Sequence, residues 1–264
     1  MLSIIIVNYL QKDFLRKCVA LIHKNLARDS FEVIVVNNSP QEDLSEISGK
    51  FTAVKIISNK NTGFSKANNL GVKNASGEYL LFLNADTEIL ADFTNELLNQ
   101  FKSKNYGAVG LGLRFADGSF QNSFGLFPTI LNEYKNRKVE LAFRNKDENV
   151  ISEREKEYSD IKEVDWVTGA ALFIRKDVFE KISGFDERFF MYYEDIDLCL
   201  RLSEAGYKNY YYPFTKIIHH KGEYTRDSFQ KESAKIQASS QLLYYKLHNS
   251  LPQLLLLRII KLFI

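Results

Sequence analysis

Three carboxylates crowd four consecutive positions of the chain, at Glu194, Asp195 and Asp197. They follow a loop with five aromatic residues and open a predicted helix, whose dipole favours anions at its start. An ionised carboxylate beside aromatic rings suits a general base for a sugar hydroxyl, because rings pack against the C–H faces of sugars. The alternative is charge complementation of the helix end plus an i,i+4 pair with Arg201. We favour that alternative for Asp197 and predict a general base at Asp195.

A second acidic position follows the apolar run over residues 79–83, which leads into Asn84 and Asp86. So little polar alternation predicts a strand buried on both faces, hence parallel and central. In open parallel sheets function sits at the carboxyl ends of strands. There Asp86 can hold a divalent cation, which in turn can hold a diphosphate. The alternative is an N-cap, with Asp86 or Thr87 starting the helix predicted over residues 91–104.

Amide side chains follow two other predicted strands. Asn8 ends the strand over residues 2–7, and Asn37 and Asn38 end the strand over residues 31–36. If these strands are neighbours, the amides line one edge of the sheet. Amides suit the edge of uracil or thymine, because each offers a donor and an acceptor. Asparagine is also a good turn former, so each residue keeps a purely structural alternative.

Two further segments fit a diphosphate. Gly63 and Lys66 open a helix, and a helix N-terminus favours anions, although the spacing is neither a dinucleotide fingerprint nor a P-loop. His219 and His220 lie in a basic, glycine-containing segment. A neutral imidazole there can complete the coordination of a cation on Asp86. A lone histidine is more often structural, and that alternative stays open.

The elements that must position these residues alternate at the spacing of βαβ units, which predicts an α/β fold in the first half. Residues 116–160 carry a middle section rich in Lys, Glu, Arg and Asn, which predicts solvated loop and helix. The remaining predicted elements are a helix over 13–25 capped by Asp13, strands over 54–57, 108–114, 165–174 and 208–212, and helices over 176–182, 194–205 and 230–247.

Composition excludes several classes of protein. A net charge of +2 over 264 residues is too balanced for nucleic-acid binding, and an apolar fraction of 45% allows a substantial core. Cys18 and Cys199 lie inside predicted helices and form no motif. We therefore expect no disulfide framework and predict a reducing compartment. The N-terminus predicts a first strand rather than a signal peptide. No apolar run reaches the roughly 20 residues that span a bilayer.

With these residues placed, the sequence resembles the family 2 glycosyltransferases, especially the bacterial rhamnosyltransferase-like branch, over about residues 1–225. The resemblance rests on blocks that occur in this order: SIIIVNY at 3–9, VVNNS at 35–39, NTGF at 61–64 with NNLG at 68–71, LNADT at 83–87, and WVTGA at 166–170 through GFDE at 184–187 to YEDIDL at 193–198. It implies a GT-A fold, an α/β fold with a Rossmann-like, mostly parallel central sheet flanked by helices. The implied units are a nucleotide-sugar half at about 1–115, an acceptor half at about 116–225 and a C-terminal helical extension over 226–264.

The resemblance also implies inverting transfer from a nucleotide-diphosphate sugar, dTDP-rhamnose or a UDP-sugar, to a glycan or lipid-linked acceptor, with Mg²⁺ or Mn²⁺. Asp86 matches the metal-binding aspartate of the D-x-D position, Asp195 the catalytic base, and His219 the histidine of a late H-x-x-G block. The residues expected at the donor are Asn8, Tyr9, Asn37, Asn38, Gly63, Lys66, Asn68, Asn84 and Asp86. Those expected at the acceptor are Trp166, Gly169 and Glu194. The implied setting is the cytoplasm, on the inner face of the cytoplasmic membrane.

Two positions depart from the family pattern. Asn37 stands where the family often has Asp next to the nucleotide base, and Asn84 replaces the first Asp of D-x-D. Asn84 contributes no charge, so we expect modest metal affinity, with the diphosphate supplying much of the ligand field. Two rival functions stay open. One is a nucleotidyltransferase of related fold, although the chain lacks the basic, glycine-rich loop near the N-terminus that this activity needs. The other is a glycan-binding or sugar-nucleotide-binding module that has lost catalysis.

The segment over residues 254–264 is apolar apart from Arg258 and Lys261 and is too short to span a membrane. As a helix it fits an interfacial segment, with cations toward lipid phosphates and apolar side chains in the acyl boundary. Packing on the core or on a second subunit is one alternative, and continuation of the natural chain is another. We predict peripheral membrane attachment.

Overall fold

The computed structural model describes residues 1–27, 30–51, 53–102, 105–220 and 227–260, without the side chains of 227–230 and 260. Outside the described residues lie Lys221 and Gly222 of the late block, residues 103–104 of the helix predicted over 91–104, and residues 261–264. The described elements are β1 (Leu2–Asn8), α1 (Lys12–Asn25), β2 (Phe31–Asn37), α2 (Ser45–Lys50), β3 (Val54–Ser58), α3 (Phe64–Lys73), β4 (Tyr79–Asn84), β5 (Thr87–Ile89), α4 (Thr94–Phe101), β6 (Tyr106–Arg114), β7 (Phe120–Gln121), β8 (Phe124–Gly125), α5 (Ile130–Arg144), α6 (Glu148–Glu157), β9 (Lys162–Val164), β10 (Trp166–Val167), β11 (Ala171–Arg175), α7 (Lys176–Lys181), α8 (Glu194–Glu204), β12 (Lys208–His219), α9 (Asp227–His248) and α10 (Leu251–Ile260).

A ten-stranded sheet in the order β3-β2-β1-β4-β11-β6-β12-β5 forms the centre, with β7 and β9 paired onto β6 and β12. Strands β3, β2, β1 and β4 are parallel, and the helices between them supply the crossovers. Ile4, Ile5 and Ile6 of β1 are fully buried, as a strand covered on both faces requires. The α/β prediction is therefore confirmed. The sheet is mixed, because β11 runs antiparallel to β4, so β4 has a parallel neighbour on one side only.

The register of the parallel strands brings their polar ends to one edge. Asn8 pairs with Asn37 across β1 and β2, and Val7 pairs with Asn84 across β1 and β4. Parallel strands that end at the same level present their following residues to one crevice. The prediction that these strands are neighbours is confirmed.

The segment after β4 differs from the sequence prediction. Thr87 begins β5, which pairs antiparallel with the end of β12, so neither Asp86 nor Thr87 caps a helix. The helix begins later, at Thr94, where the Asp92 carboxylate accepts from the backbone N–H of Thr94 at 2.9 Å. The N-cap alternative for Asp86 is wrong because residues 87–89 form β5 before the helix begins.

Three other boundaries move. Helix α1 begins at Lys12, and Asp13 lies in its first turn without a side-chain cap bond. The strand predicted over 165–174 is two strands, β10 and β11, separated by a turn at residues 168–170. Strand β12 continues to His219, well beyond residue 212, because it pairs with β6, β9 and β5 in turn.

The polar middle of residues 116–160 lies mostly in α5 and α6, and neither helix has a buried residue, as predicted for solvated helix. The start of the section differs, because β7 and β8 are buried. Helices α9 and α10 pack through a core that includes Tyr244, Tyr245, Leu254 and Leu257. Helix α10 thus buries part of its apolar surface inside the molecule. Among the described residues, no helix has both the length and the apolar character needed to cross a membrane.

Candidate active site

The turn between β4 and β5 carries Asn84 and Asp86, and the last residue of β12 stands beside it. His219 Nε2 lies 3.4 Å from Asp86 Oδ1 and 3.3 Å from Asn84 Nδ2. The antiparallel pair of β12 with β5 sets His219 opposite Thr87 and so holds the imidazole at the turn. Asp86 and His219 are both buried. The structure brings together the two residues expected to bind metal.

This pair fits one divalent cation. A carboxylate oxygen suits Mg²⁺ or Mn²⁺, and an imidazole nitrogen is an accepted further ligand for Mn²⁺ and later metals. Within the part of the chain that the structure describes, no group of three or more His, Cys, Asp or Glu side chains forms a metal cluster. Asp86 and His219 would therefore hold a cation only partly, and a diphosphate would have to supply much of the remaining coordination.

The buried carboxylate of Glu88 connects the strand after this turn to α1 and to His220. Glu88 Oε1 on β5 lies 2.6 Å from Lys17 Nζ on α1 and 2.6 Å from His220 Nε2. Burial alone would raise the pKa of Glu88, but the hydrogen bonds from Lys17 and His220 outweigh it and hold that pKa below its usual range. The cluster ties β5 to the end of β12. Sequence reasoning missed Lys17 and Glu88, because neither belongs to a motif.

The amides at the strand ends form a network. Asn8 Nδ2 donates to Asn37 Oδ1 at 3.0 Å and to Glu42 Oε2 at 2.9 Å, and Asn37 Nδ2 donates to the Glu42 carbonyl. Asn38 Nδ2 lies 3.4 Å from the Gly63 carbonyl oxygen. A cleft of about 400 Å³ opens beside Asn37 and Glu42. Glu42 was not predicted; its position after the Asn37 turn is the only sequence signal.

The loop that opens α3 packs against the aromatic loop before α8. Gly63 has φ +91°, and a Cβ added there would lie 2.5 Å from the carbonyl oxygen of Phe190. Phe64 N–H donates to the same oxygen at 2.6 Å. Glycine is thus required by a positive φ and by a close backbone approach. The Gly63 N–H itself donates to Asn61 Oδ1.

Three other donor candidates lie in different surroundings. Lys66 is exposed on α3, where its ammonium group is open to solvent. Asn68 is buried, and its amide donates to the Phe64 carbonyl one turn earlier in the helix. Tyr9 is exposed just beyond the end of β1. Contact of these residues with a donor stays a prediction.

Asp195 is held by backbone donors at the start of α8. Its Oδ2 accepts from Gly169 N–H at 2.9 Å, and its Oδ1 accepts from Ile196 N–H at 2.9 Å. Burial raises the pKa of Asp195, and these two bonds offset part of that rise. The result is a fixed, partly buried carboxylate that is a stronger base than an ordinary aspartate.

The neighbouring Glu194 is buried more deeply. Its Oε2 has no hydrogen-bond partner among the described residues. Burial raises its pKa well above the usual range, and the negative charge of Asp195 raises it further. The two backbone N–H bonds favour the ionised form of Asp195, whereas the buried Oε2 of Glu194, which lacks a hydrogen-bond partner among the described residues, favours the protonated form of Glu194.

The third carboxylate has a structural role. Asp197 is fully buried, and its Oδ2 accepts from Arg201 Nε at 2.8 Å. Its Oδ1 lies 2.7 Å from Nε2 of His248, at the end of α9. The predicted i,i+4 pair with Arg201 is confirmed, and the histidine partner was missed because it lies fifty residues further along.

The loop before α8 is strained and is held by α9. Tyr192 and Tyr193 have φ of +68° and +66°, a left-handed backbone conformation that residues other than glycine rarely adopt. Buried Ser240 on α9 donates to the Met191 carbonyl at 2.8 Å, and Ser233 pairs with the Tyr192 hydroxyl. The C-terminal extension therefore fixes the backbone that presents Glu194 and Asp195.

Residues 169–170 connect the two acidic positions. Gly169 N–H donates to Asp195, and the next carbonyl, of Ala170, accepts from Asn84 N–H at 3.0 Å. Residues 169–170 thus contact Asp195 directly and also contact the last residue of β4, two residues before Asp86. Trp166, expected at the acceptor, donates from Nε1 to the Leu126 carbonyl at 2.9 Å, and its acceptor contact stays a prediction.

Solved structures share this architecture. The crystal structure of GalNAc-T7 with UDP, GalNAc and Mn²⁺ superposes with a TM-score of 0.62 at 14% identity, covering 93% of this chain and 50% of that one. The mannosyltransferase PcManGT from Pyrobaculum calidifontis, in complex with GDP-Man and Mn²⁺, gives a TM-score of 0.57 at 15% identity, covering 98% and 78%. The chain therefore has the GT-A fold, as predicted.

Sequence comparison gives the family. Residues 3–183 match the family described as Glycosyl transferase family 2, and residues 156–225 match the one described as N-terminal domain of galactosyltransferase. Rhamnosyltransferase WbbL from Escherichia coli K12 is 31% identical over 240 residues, which are 88% of each chain. An N-acetylglucosaminyl-diphospho-decaprenol L-rhamnosyltransferase from Mycobacterium tuberculosis is 32% identical over 119 residues, 45% of this chain and 39% of that protein. The chain belongs to glycosyltransferase family 2.

Proposed function

We propose that this protein transfers a sugar from a nucleotide-diphosphate donor, dTDP-rhamnose or a UDP-sugar, to a hydroxyl group of a glycan or lipid-linked acceptor, with inversion at the anomeric carbon. The observation that carries the proposal is the double contact of residues 169–170, to Asp195 on one side and to Asn84 on the other. The contact links the start of α8, where Asp195 would act as the base, to the end of β4, two residues before Asp86. It therefore supports a base for the acceptor and a binding group for the leaving diphosphate within one site.

Each residue has a role in the proposed reaction. The acceptor oxygen bonds to the anomeric carbon, its proton passes to the Asp195 carboxylate, and the bond to the donor diphosphate breaks. Asp195 is oriented before substrate arrives, because backbone N–H groups hold both its oxygens. A Mg²⁺ or Mn²⁺ ion held by Asp86 and His219 would stabilise negative charge on the departing diphosphate.

The donor side rests on the edge formed by β1, β2 and β4. The cleft beside Asn37 and Glu42 is where we place the nucleotide base, and the turn at Asp86 is where we place the diphosphate. The names of the two rhamnosyltransferase relatives support rhamnose as the sugar. Lipid-linked acceptors are supported by the mycobacterial relative, whose name includes a decaprenol diphosphate.

A panel of nucleotide sugars tests this proposal. We expect dTDP-rhamnose or a UDP-sugar to raise the unfolding temperature, and the rise to be larger with Mn²⁺ or Mg²⁺ than with EDTA. The donor that protects best should then be hydrolysed slowly without acceptor. Protection without hydrolysis or transfer would favour a binding module, and release of pyrophosphate from a nucleoside triphosphate would favour a nucleotidyltransferase.

We further propose that α5 of the acceptor half and α10 of the C-terminal extension rest together on the inner face of the cytoplasmic membrane. Helix α10 buries Leu254 but leaves Leu255 and Ile259 about half exposed, and the adjacent α5 exposes Leu131 and Tyr134. Exposed cations on the same two helices are Lys135, Arg137, Lys138, Arg144 and Arg258. Apolar side chains flanked by cations are the pattern of a surface that binds anionic lipid.

Flotation of the full chain tests the membrane surface. Wild type should float with vesicles of phosphatidylglycerol and phosphatidylcholine but not with phosphatidylcholine alone. A Leu255→Ser, Ile259→Ser double variant should lose flotation, whereas Leu90→Ser, an equally exposed leucine at the end of β5, should not. If wild type fails to float and the double variant changes oligomeric state, the surface is a protein interface and the membrane proposal is wrong.

A further inference from the structure

One side chain makes both its amide hydrogen bonds to a single residue of the proposed cation site. Gln121, on β7, lies with its Oε1 2.7 Å from His219 Nδ1 and its Nε2 3.3 Å from the His219 carbonyl oxygen. Gln121 is 2% exposed, so no solvent competes for these bonds. Strand β7 pairs with β6, next to β12, which sets the amide beside His219.

The partners determine which way the Gln121 amide faces. A backbone carbonyl can only accept, so the NH₂ group of Gln121 must face the His219 carbonyl. The amide oxygen then faces His219 Nδ1. An amide oxygen also can only accept, so Nδ1 must carry a hydrogen. In a neutral imidazole the lone pair then belongs to Nε2.

The second nitrogen has surroundings consistent with that tautomer. Asn84 Nδ2 lies 3.3 Å from His219 Nε2 and can donate to a lone pair there. Asp86 Oδ1 lies 3.4 Å away, and two acceptor atoms that face each other at this distance are arranged for a cation between them. In the opposite tautomer the Nε2–H group would instead donate a hydrogen bond to Asp86. His219 Nε2 would then have no lone pair for a cation.

We propose that Gln121 is a positioning residue, which selects the Nδ1–H tautomer of His219 and so prepares Nε2 to bind the divalent cation. The proposal rests on the metal site assigned above to Asp86 and His219. A carboxylate or carbonyl partner on the remote nitrogen of a metal-binding histidine fixes its ring and tautomer, and loss of such a partner weakens metal binding about 10–100-fold.

The tautomer can be measured without metal or activity. In metal-free protein labelled with ¹⁵N-histidine, the imidazole NMR signals of His219, assigned by their loss in His219→Gln, should be those of an Nδ1–H tautomer. Gln121→Leu should shift the population toward Nε2–H. Gln121→Glu loses the donor to the His219 carbonyl but retains an acceptor facing Nδ1, so Nδ1 of His219 should stay protonated in this variant. A wild-type protein with Nε2–H at His219 would overturn the proposal, whether or not the Gln121 variants fold.

Metal affinity gives the second readout. With UDP present, Mn²⁺ binding followed by electron paramagnetic resonance should weaken about 10–100-fold in Gln121→Leu. It should stay near wild type in Gln121→Glu and in Gln241→Leu, a control glutamine on α9 that bonds Glu133 instead. Unchanged Mn²⁺ affinity in folded Gln121→Leu would refute the positioning role. Unchanged affinity in Asp86→Ala and His219→Gln would refute the metal assignment itself, whatever the tautomer.

Discussion

The two acidic positions of this site are built in different ways. Asp86 lies in a turn between two strands of the sheet, and its neighbours come from strands that pair directly with those two. Asp195 lies at the start of a helix, after a loop in a left-handed conformation that a remote helix holds in place. The cation side of the site, at Asp86 and His219, is therefore held by strand pairing within the sheet. The base side, at Asp195, is held by side-chain contacts with the C-terminal extension.

The difference has an energetic counterpart. A residue other than glycine in a sparsely populated backbone region costs of order 1–3 kcal/mol, and Tyr192 and Tyr193 are consecutive residues of this kind. Such a loop keeps this conformation only if contacts with the rest of the protein offset the cost. Hydrogen bonds from Ser240 to Met191 and from His248 to Asp197 supply that constraint. We expect variants on the base side to change turnover, and variants on the cation side to change donor binding.

Asp195→Asn should give the largest difference between the effect on transfer and the effect on donor binding. Amide replaces carboxylate with the same shape, so one backbone N–H bond is kept while the base is lost. Transfer should fall about 10²–10⁴-fold, and donor affinity should stay within a factor of about two. Steady-state transfer and donor titration measure the two effects. Transfer within tenfold of wild type would move the base to Glu194.

Wild-type transfer should also depend on pH through this carboxylate. The base must be ionised, and burial raises the pKa of Asp195. The fall in kcat/KM on acidification should therefore begin at a higher pH than the usual range of an aspartate would give. A rate that is flat down to the ordinary aspartate range would contradict the role of Asp195.

Asp86→Ala tests the opposite side. Donor binding in Mn²⁺ should weaken by at least about 10–100-fold, because the carboxylate ligand is lost, and binding in EDTA should change much less. Asp92→Ala is the matched control, since Asp92 also follows β5 but bonds only backbone and Thr94 groups near the start of α4. Calorimetric titration of the nucleoside diphosphate under both conditions distinguishes the two. Equal losses with and without metal would show that Asp86 acts on the fold alone.

The contrast between the two sides also explains what the sequence could predict. The strands over 2–7, 31–36 and 79–83 are apolar runs interrupted only by Ser3 and Glu32. The position of the polar residues that follow them could be predicted from the rule that function lies where parallel strands end. Asp195 was marked by its charge density after an aromatic loop. These features are local, so they can be read from short stretches of sequence.

The missed features depend on pairing between distant segments. Gln121 belongs to a two-residue strand, which is too short to show any periodicity. Strand β5 was not predicted, because its partner, the end of β12, is far along the chain. His248 reaches Asp197 only because α9 folds back on α8. No local pattern encodes these contacts.

A smaller effect is expected where α9 holds the loop. Ser240→Ala removes the hydrogen bond to the Met191 carbonyl, which is worth about 0.5–1.5 kcal/mol, and should lower kcat up to about tenfold with donor affinity unchanged. Ser239→Ala, the exposed neighbour whose hydroxyl bonds only its own helix, should leave both unchanged. Equal kcat in the two variants would mean that α9 stabilises the fold without positioning the base.

The smallest effect on turnover concerns the buried carboxyl group beside the base, whose titration should appear in stability instead. The pKa of Glu194 is raised in the folded state, first by burial and then by the charge of Asp195. Folded protein therefore holds this proton more tightly than unfolded protein does. The stabilisation is complete below the usual glutamate pKa and is lost as pH rises toward the raised value, at up to about 1.4 kcal/mol per pH unit.

Glu194→Gln removes this titration. The free energy of unfolding of the variant, measured by urea denaturation relative to wild type, should rise with pH from the usual glutamate range upward. Glu204→Gln, at the exposed end of the same helix, should show no such trend. In an Asp195→Asn background the trend should shrink, because the second cause of the raised pKa is gone. A difference independent of pH would mean that Glu194 is ionised in the folded protein, and the assignment of the proton to Glu194 rather than Asp195 would be wrong.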